Sequence, residues 1–455
     1  MSVVEFIENH RTEYLEELKD FLRIPSISAK NGHKADIERA AKWIAEKLRD
    51  AGMETVEVVQ TKIHPIVYAE SIQRPDRPTL LLYGHYDVQP PEPLHLWTSP
   101  PFEPTVRDGK LYARGSADDK GQLHLHVKAL AALQQVNGHL PLNIKVIVEG
   151  EEEIGGPSLW DFLMNNRLRL KADALVLSDT SMLGPGVPSI TYGLRGLNYY
   201  QVEVNGPCRD LHSGVFGGAV PNPITILATA IAKLHDKTLR VSVPGFYEGV
   251  DRISPSERKA IKSLPWKEET FRKTVGAPEL CGEEGFSTLE RLWCRPTLEL
   301  NGIWGGYTGD GAKTVIPAKA YAKLSTRLVP HQDPEKIARL VEGAIRRSLP
   351  RTVSCEFTVL STGHPWLADY DHPIFQKAIR ALEKGFGKKK AVFIREGGSI
   401  PLVEQIERMF RIPCVLLGFG LPDENAHAPN EFISLENYFG GMKSVALFYE
   451  DVAVR

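Results

Sequence analysis

The chain has 455 residues, of which 25% are charged and 42% hydrophobic, and 55 Lys and Arg against 57 Asp and Glu leave a net charge of -2. Such a length exceeds one ordinary core of about 150 residues and predicts two or three domains in a globular protein. The near-neutral balance gives no phosphate-binding field, so nucleic acid is not an expected partner.

Residues 1–23 set Glu5, Glu8, Glu13, Glu16, Glu17 and Asp20 between apolar positions, the pattern of an amphipathic helix without the apolar stretch of a signal peptide. No apolar run approaches the roughly 20 residues needed to cross a bilayer, so no membrane partner is expected. The 5 cysteines are odd in number and widely spaced, with no Cys-x-x-Cys pair, which fits the reducing cytoplasm and disfavours a zinc ribbon or dithiol redox chemistry.

From residue 1 to about 190, helical patterns (37–51, 121–136) alternate with short apolar runs (79–83, 144–148, 174–177), the order of a mostly parallel sheet. The middle stretch reads as strands 198–205, 297–301, 320–328 and 354–360 with helices 224–235 and 334–348, a small two-layer α+β unit. Residues 242–292 are rich in Pro, Gly and charge with no clear period, as in a long lid excursion. Helices 374–386, 401–409 and 435–451 around a strand 414–417 then restore the α/β character. The expected fold is therefore a mixed, mostly parallel α/β domain of residues 1–195 and 377–455, with an inserted α+β lid domain of residues 196–376.

Acids and histidines gather at the ends of the predicted strands. His85 and Asp87 follow Leu80-Leu81-Leu82, Glu151, Glu152 and Glu153 follow strand 144–148, Asp179 follows strand 174–177, and Asp118 and His427 lie in polar loops. Ligands of open α/β sheets bind beyond the carboxyl ends of the strands, so these side chains converge on one crevice. Each piece alone is commonplace: a His-x-Asp is usually structural, and three consecutive glutamates usually face solvent. Their joint occurrence is what points to two divalent cations, because a dense negative patch is costly without them. A workable assignment gives His85 and Asp179 to one metal, Glu153 and His427 to the other, and lets Asp118 bridge them, with Asp87 behind His85 fixing its tautomer. The residues alone do not decide the roles of Glu151, Glu152 and Glu153. His124 and His126 lie two apart on a predicted helix and read as surface residues, and the other histidines sit in no acidic cluster.

The segments 84–90 (Gly-His-Tyr-Asp-Val-Gln-Pro), 113–121 (Ala-Arg-Gly-Ser-Ala-Asp-Asp-Lys-Gly), 149–155 (Glu-Gly-Glu-Glu-Glu-Ile-Gly) and 177–179 (Leu-Ser-Asp), with His427, occur in the order and spacing of a known family. The chain resembles the co-catalytic dizinc metallopeptidases that include carnosinase-like dipeptidases, glutamate carboxypeptidase, aminoacylase and succinyl-diaminopimelate desuccinylase, the carnosinase-like group above all. This resemblance implies Glu152 as general base, Glu153 as ligand and a cis peptide between Asp118 and Asp119. It implies two metal ions, zinc foremost with manganese or cobalt as alternatives. It also implies a homodimer, with His212 as an oxyanion donor reaching the partner's site, Arg327 on the substrate carboxylate, and Thr314 and Ser399 as further substrate contacts. The implied substrate is a dipeptide or short peptide, with an N-acyl amino acid as the alternative. A homologue that binds peptide or metal without turnover is a third reading, which the presence of Glu152 disfavours. In Gly363-His364-Pro365-Trp366 the histidine adjoins the proline, whereas the carnosinase pattern has it a few residues earlier.

Overall fold

The computed structural model describes residues 1–454. The chain forms two compact units, one of residues 1–192, 368–394 and 406–455, the other of residues 193–367 and 395–405. The chain therefore re-enters the first unit at Ala368 rather than at residue 377, a position that lies inside the helix Pro373–Gly385. Residues 395–405, expected in the first unit, belong to the second.

In the first unit a mixed sheet runs in the spatial order Thr55–Val59, Ile66–Ser71, Asn143–Glu149, Thr79–His85, Ala174–Leu177, Cys414–Leu416, Ser189–Leu194. The three central pairings are parallel, and those at the Thr55 and Ser189 ends are antiparallel. The parallel strands are covered on both faces, which is why Leu80-Leu81-Leu82 and Ala174–Leu177 are continuous apolar runs without alternation. The expectation of a mostly parallel sheet missed the antiparallel pair Thr55–Val59 and Ile66–Ser71: the first is short and mostly half-buried, the second buried at five of six positions, and neither shows a period-2 alternation.

The N-terminal segment forms two helices, Val3–Asn9 and Arg11–Leu22, rather than one. They part at His10, which closes the first helix at φ -106°, ψ 13° and stacks on Phe6 at 4.0 Å. The helix Leu435–Ala453 is capped by Ser434, whose side chain accepts from Asn437 N–H, and packs on Pro373–Gly385 and Lys120–Asn137.

In the second unit four antiparallel strands lie in the order Thr297–Gly305, Lys319–Leu328, Gly196–Asn205, Ser354–Gly363. Strand Gly196–Asn205 alternates buried and half-buried residues, and Tyr200, Val202 and Val204 form a core with Ala320, Ala322 and Leu324. Helices Pro223–Ala232 and Pro334–Ser348 close that face. Both start on a capped turn with proline at the first position: Asn222 accepts from Ile224 N–H, and Asp333 from Lys336 N–H. Residues 242–292, read as an excursion without period, hold two short helices, Pro255–Lys262 and Glu268–Thr274, and most of a third, Thr288–Cys294. Each is too short to display a 3.6-residue repeat.

Candidate metal centre

His85 is the last residue of its strand and stands in register beside Glu149, the last residue of the parallel neighbour, while Asp179 lies two residues past the next strand. The carboxyl ends of three adjacent parallel strands thus deliver an imidazole and the acidic loops to one place. Asp118 comes from the loop before helix Lys120–Asn137, and the peptide between Asp118 and Asp119 is cis. His427 sits in the loop after Cys414–Leu416 at φ 61°, a left-handed conformation that a non-glycine residue adopts only when its surroundings hold it there.

These side chains form two triads that share one carboxylate. His85, Asp118 and Asp179 make one group, Asp118, Glu153 and His427 the other, and within each the ligand atoms lie within 4.8 Å of one another. Asp118 Oδ1 is 3.1 Å from His85 Nε2, and Asp118 Oδ2 is 2.9 Å from His427 Nε2. His427 Nε2 also lies 3.2 Å from Glu153 Oε2, and His85 Nε2 4.0 Å from Asp179 Oδ2. A cation bonded to nitrogen and oxygen at about 2.0–2.2 Å holds its ligands roughly 3–3.6 Å apart, so the donor set fits a pair of divalent ions bridged by Asp118.

Behind the two triads, Asp87 is fully buried. The His85 Nδ1 edge meets the Asp87 backbone carbonyl at 3.1 Å and the Asp87 Oδ1 at 3.3 Å, so Nδ1–H donates to Asp87 and Nε2 faces the triad. The same carboxylate accepts the backbone N–H groups of Glu152 at 3.2 Å and Glu153 at 3.1 Å. Asp87 therefore fixes the histidine and the glutamate turn together. Glu151 is also buried, and its carboxylate accepts from His64 N–H at 2.8 Å, Ser158 N–H at 2.8 Å and Thr61 Oγ1 at 3.1 Å, which makes it a structural anchor.

The electrostatics follow from crowding. Burial first, then Asp118, Glu153 and Asp87 nearby, pushes the Glu152 carboxyl up to about 7 against the opposing pull of His85. Burial and the charges of Asp118 and Asp119 hold Asp179 well above the carboxylate range. Asp118 is held low despite its burial by the two imidazoles, and its hydrogen bond with Glu153's raises His427 to about 10. Cations in the two triads would relieve this crowding and take the imidazoles as neutral ligands.

Two contributors carry no motif of their own. Asp119 Oδ2 accepts the His85 backbone N–H at 3.1 Å, and Gln89 Nε2 donates to Glu153 Oε2 at 2.7 Å. Both lie inside the segments that carry the family resemblance, where residue type alone does not separate support from ligand. The reading of His124 and His126 as surface residues is corrected: both are buried. Helix Lys120–Asn137 is enclosed around most of its circumference, so facing apart does not mean facing water. His124 lies between Tyr438 Oη (2.6 Å) and Glu17 Oε1 (3.0 Å), and His126 between Tyr449 Oη (2.8 Å) and Ser178 Oγ (2.7 Å).

In the second unit the structure brings two further pairs together. His212 pairs with Val315 across a short antiparallel ladder, and Ser213 N–H donates to the Thr314 carbonyl at 3.0 Å, so His212 and Thr314 are neighbours, both exposed. The His212 Nδ1 accepts from Gly214 N–H at 2.9 Å, which leaves Nε2 as the available donor. Arg327 opposes Leu197, on the sheet face turned away from the two helices, and donates from Nη1 to Ser399 Oγ at 3.0 Å. Ser399 in turn donates to the Arg195 carbonyl at 2.5 Å. His364 is exposed just past the strand Ser354–Gly363.

The family profile of "Peptidase family M20/M25/M40" matches residues 81–451, which spans every residue of both triads. The chain belongs to this peptidase family. Among family relatives, the Cys-Gly metallodipeptidase of Schizosaccharomyces pombe is 33% identical over 464 residues, covering 99% of this chain and 97% of that protein. The human Beta-Ala-His dipeptidase is 31% identical over 468 residues, covering 99% of this chain and 92% of the other. The crystal structure of human carnosine dipeptidase 1 superposes with a TM-score of 0.87 at 31% identity, over 99% of this chain and 98% of that one. The structure of the Saccharomyces cerevisiae dipeptidase Dug1p gives 0.87 at 30% identity, over 100% and 98%.

Proposed function

We propose that the chain is a two-metal dipeptidase that hydrolyses the amide bond of dipeptides or short peptides, with Glu152 as general base. The carrying observation is the pair of triads sharing Asp118, with Glu152 one residue from the ligand Glu153 and tethered with it to Asp87. His85 and Asp179 would hold one ion, Glu153 and His427 the other, and Asp118 both. Zinc suits this imidazole and carboxylate set best, and manganese or cobalt fits the same donors. When bound, the ions supply positive charge that makes water acidic enough to be deprotonated near neutral pH and that polarises the substrate carbonyl.

The chain's own residues do the rest. Glu152 takes the water proton at its carboxylate and returns it to the leaving amine, a task suited to a carboxyl that stands beside the triads with its backbone tethered to Asp87. Asp87 holds His85 in one tautomer throughout. The Arg327 guanidinium, with Ser399 against it, offers a fork to the substrate's terminal carboxylate, and Thr314 adds a hydroxyl beside His212. His212, acting across a homodimer, would donate from Nε2 to the oxyanion. Support for the dimer comes from the second unit's two edge strands, which leave backbone unpaired and expose Leu300, Ile303 and Trp304 on one edge and Val359 and Leu360 on the other. Support for a cytoplasmic location is the set of five free cysteines, as expected of a reducing compartment.

The test is a substrate panel on the full chain, stripped of metal and then reloaded with zinc or manganese. Cys-Gly and β-Ala-His dipeptides, which the relatives' names specify, stand beside N-acetyl and N-succinyl amino acids. Metal-dependent turnover of the dipeptides is expected. Undiminished turnover after thorough stripping, or turnover of the N-acyl compounds alone, overturns the assignment.

A further inference from the structure

The loops that carry Asp118 and His427 come from residues more than three hundred apart in sequence, yet Asp118 Oδ2 and His427 Nε2 lie 2.9 Å apart. One side chain outside the triads joins them. Glu431, four residues after His427, is fully buried, and its two oxygens receive four N–H groups from the segment leading into Asp118. Oε2 accepts Arg114 Nη1 at 2.7 Å and Gly115 N at 2.9 Å, and Oε1 accepts Ala117 N at 2.9 Å and Asp118 N at 3.2 Å. The Glu431 carbonyl also accepts Ala113 N–H at 3.1 Å, and its neighbour Phe432 pairs in register with Tyr112.

We propose that Glu431 is a positioning residue that clamps the Asp118 loop to the His427 loop and so sets the spacing of the two triads, an inference that rests on the metal-centre reading above. All four groups it binds are N–H donors, so the arrangement needs an acceptor at both oxygens, which a carboxylate offers and an amide does not. Arg114, itself buried, supplies the compensating charge and is held in turn by the Pro90 carbonyl at 3.3 Å from Nη2. The loop has no slack to absorb an error: a Cβ at Gly115, which sits at φ 84°, would meet Val88 Cγ1 at 2.6 Å, and one at Gly121 would meet the Ser116 carbonyl at 1.9 Å. A shift of the Ala117 and Asp118 amides therefore passes directly to the bridging carboxylate.

Glu431→Gln tests the clamp, since it preserves shape while turning an NH2 toward one pair of donors. Two readouts on the full chain are independent of substrate. The first is the rate at which a chelator removes bound zinc, which should rise about 10- to 100-fold, the range for groups that orient metal ligands. The second is hydrogen exchange of the amides of Gly115, Ala117 and Asp118, which should lose protection in the metal-free variant as well. Asn143→Ala serves as the control, since it removes buried hydrogen bonds to residues 74 and 77 at the opposite end of its strand. It should lower the melting temperature while leaving metal release at the wild-type rate. Wild-type release and protection in Glu431→Gln overturn the clamp, as does a change in release matched by the control. If Glu431→Gln does not fold, the metal-free wild type decides: protected amides at 115, 117 and 118 support the clamp, and freely exchanging ones overturn it. Because exchange is read without metal or substrate, failure of the dipeptidase reading leaves a different signature, protected amides in a chain that binds no zinc.

Discussion

Neighbouring carboxylates of one turn have opposite tasks, and the backbone explains how. Residues 151–153 enter a short 3-10 turn, so successive side chains diverge by about 120° instead of sharing a face. Glu151 turns into the protein onto three donors, Glu153 reaches His427, and Glu152 is left beside His85 and Asp118 without a fixed partner. Glu152→Gln should therefore keep both metals while kcat falls by roughly 10² or more, the lower end of a general-base contribution. Glu153→Gln should instead weaken one metal. Elemental analysis of the two purified variants checks this, and metal contents in the reverse order would shift the assignment by one residue. No single-sequence signal distinguishes three identical adjacent residues, so the role of base comes to Glu152 only through the family resemblance.

Helix Lys120–Asn137 shows where element-level reading succeeds and where it stops. Its bounds follow from its apolar pattern and from Gly138, at φ 72°, just beyond it. Its surroundings do not, because the helices Arg11–Leu22 and Leu435–Ala453 that pack on it come from the two ends of the chain. The same limit hid the strand pair at 55–71 and the division of residues 395–405 from their sequence neighbours. Burial lowers the His126 imidazole to about 3, so it is neutral in the fold and carries a proton only once unfolded below its ordinary value near 6.5. Between pH 6.5 and 3 the unfolded chain thus binds more protons than the folded one, and this residue's contribution to stability falls on acidification by about 1.4 kcal/mol per pH unit. His126→Gln has no such proton to bind. Its deficit against the wild type, measured by denaturant unfolding of the metal-free chain, should be largest near pH 7 and shrink toward pH 4. A deficit that stays constant across that range would mean that His126 is not the group responsible.

At the scale of the whole molecule, the proposed chemistry is divided between two units: the triads and Glu152 lie in the first, His212, Arg327, Thr314 and Ser399 in the second. Family resemblance assigns His212 to the other subunit's site, and that arrangement has a consequence no single-chain site shares. Glu152→Gln and His212→Ala chains should each be inactive as homodimers. In a heterodimer one site combines the intact Glu152 of the second variant with the intact His212 of the first, and the other site has neither. Co-expression with two different tags, followed by isolation of the doubly tagged species, should recover about half the wild-type rate per dimer, as follows from the two-fold equivalence of the sites. If His212 acted within its own chain, every site in the mixed dimer would still lack one group. A doubly tagged dimer no more active than either parent would therefore place His212 with its own triads, and a chain that runs as a monomer at assay concentration would exclude the shared site altogether.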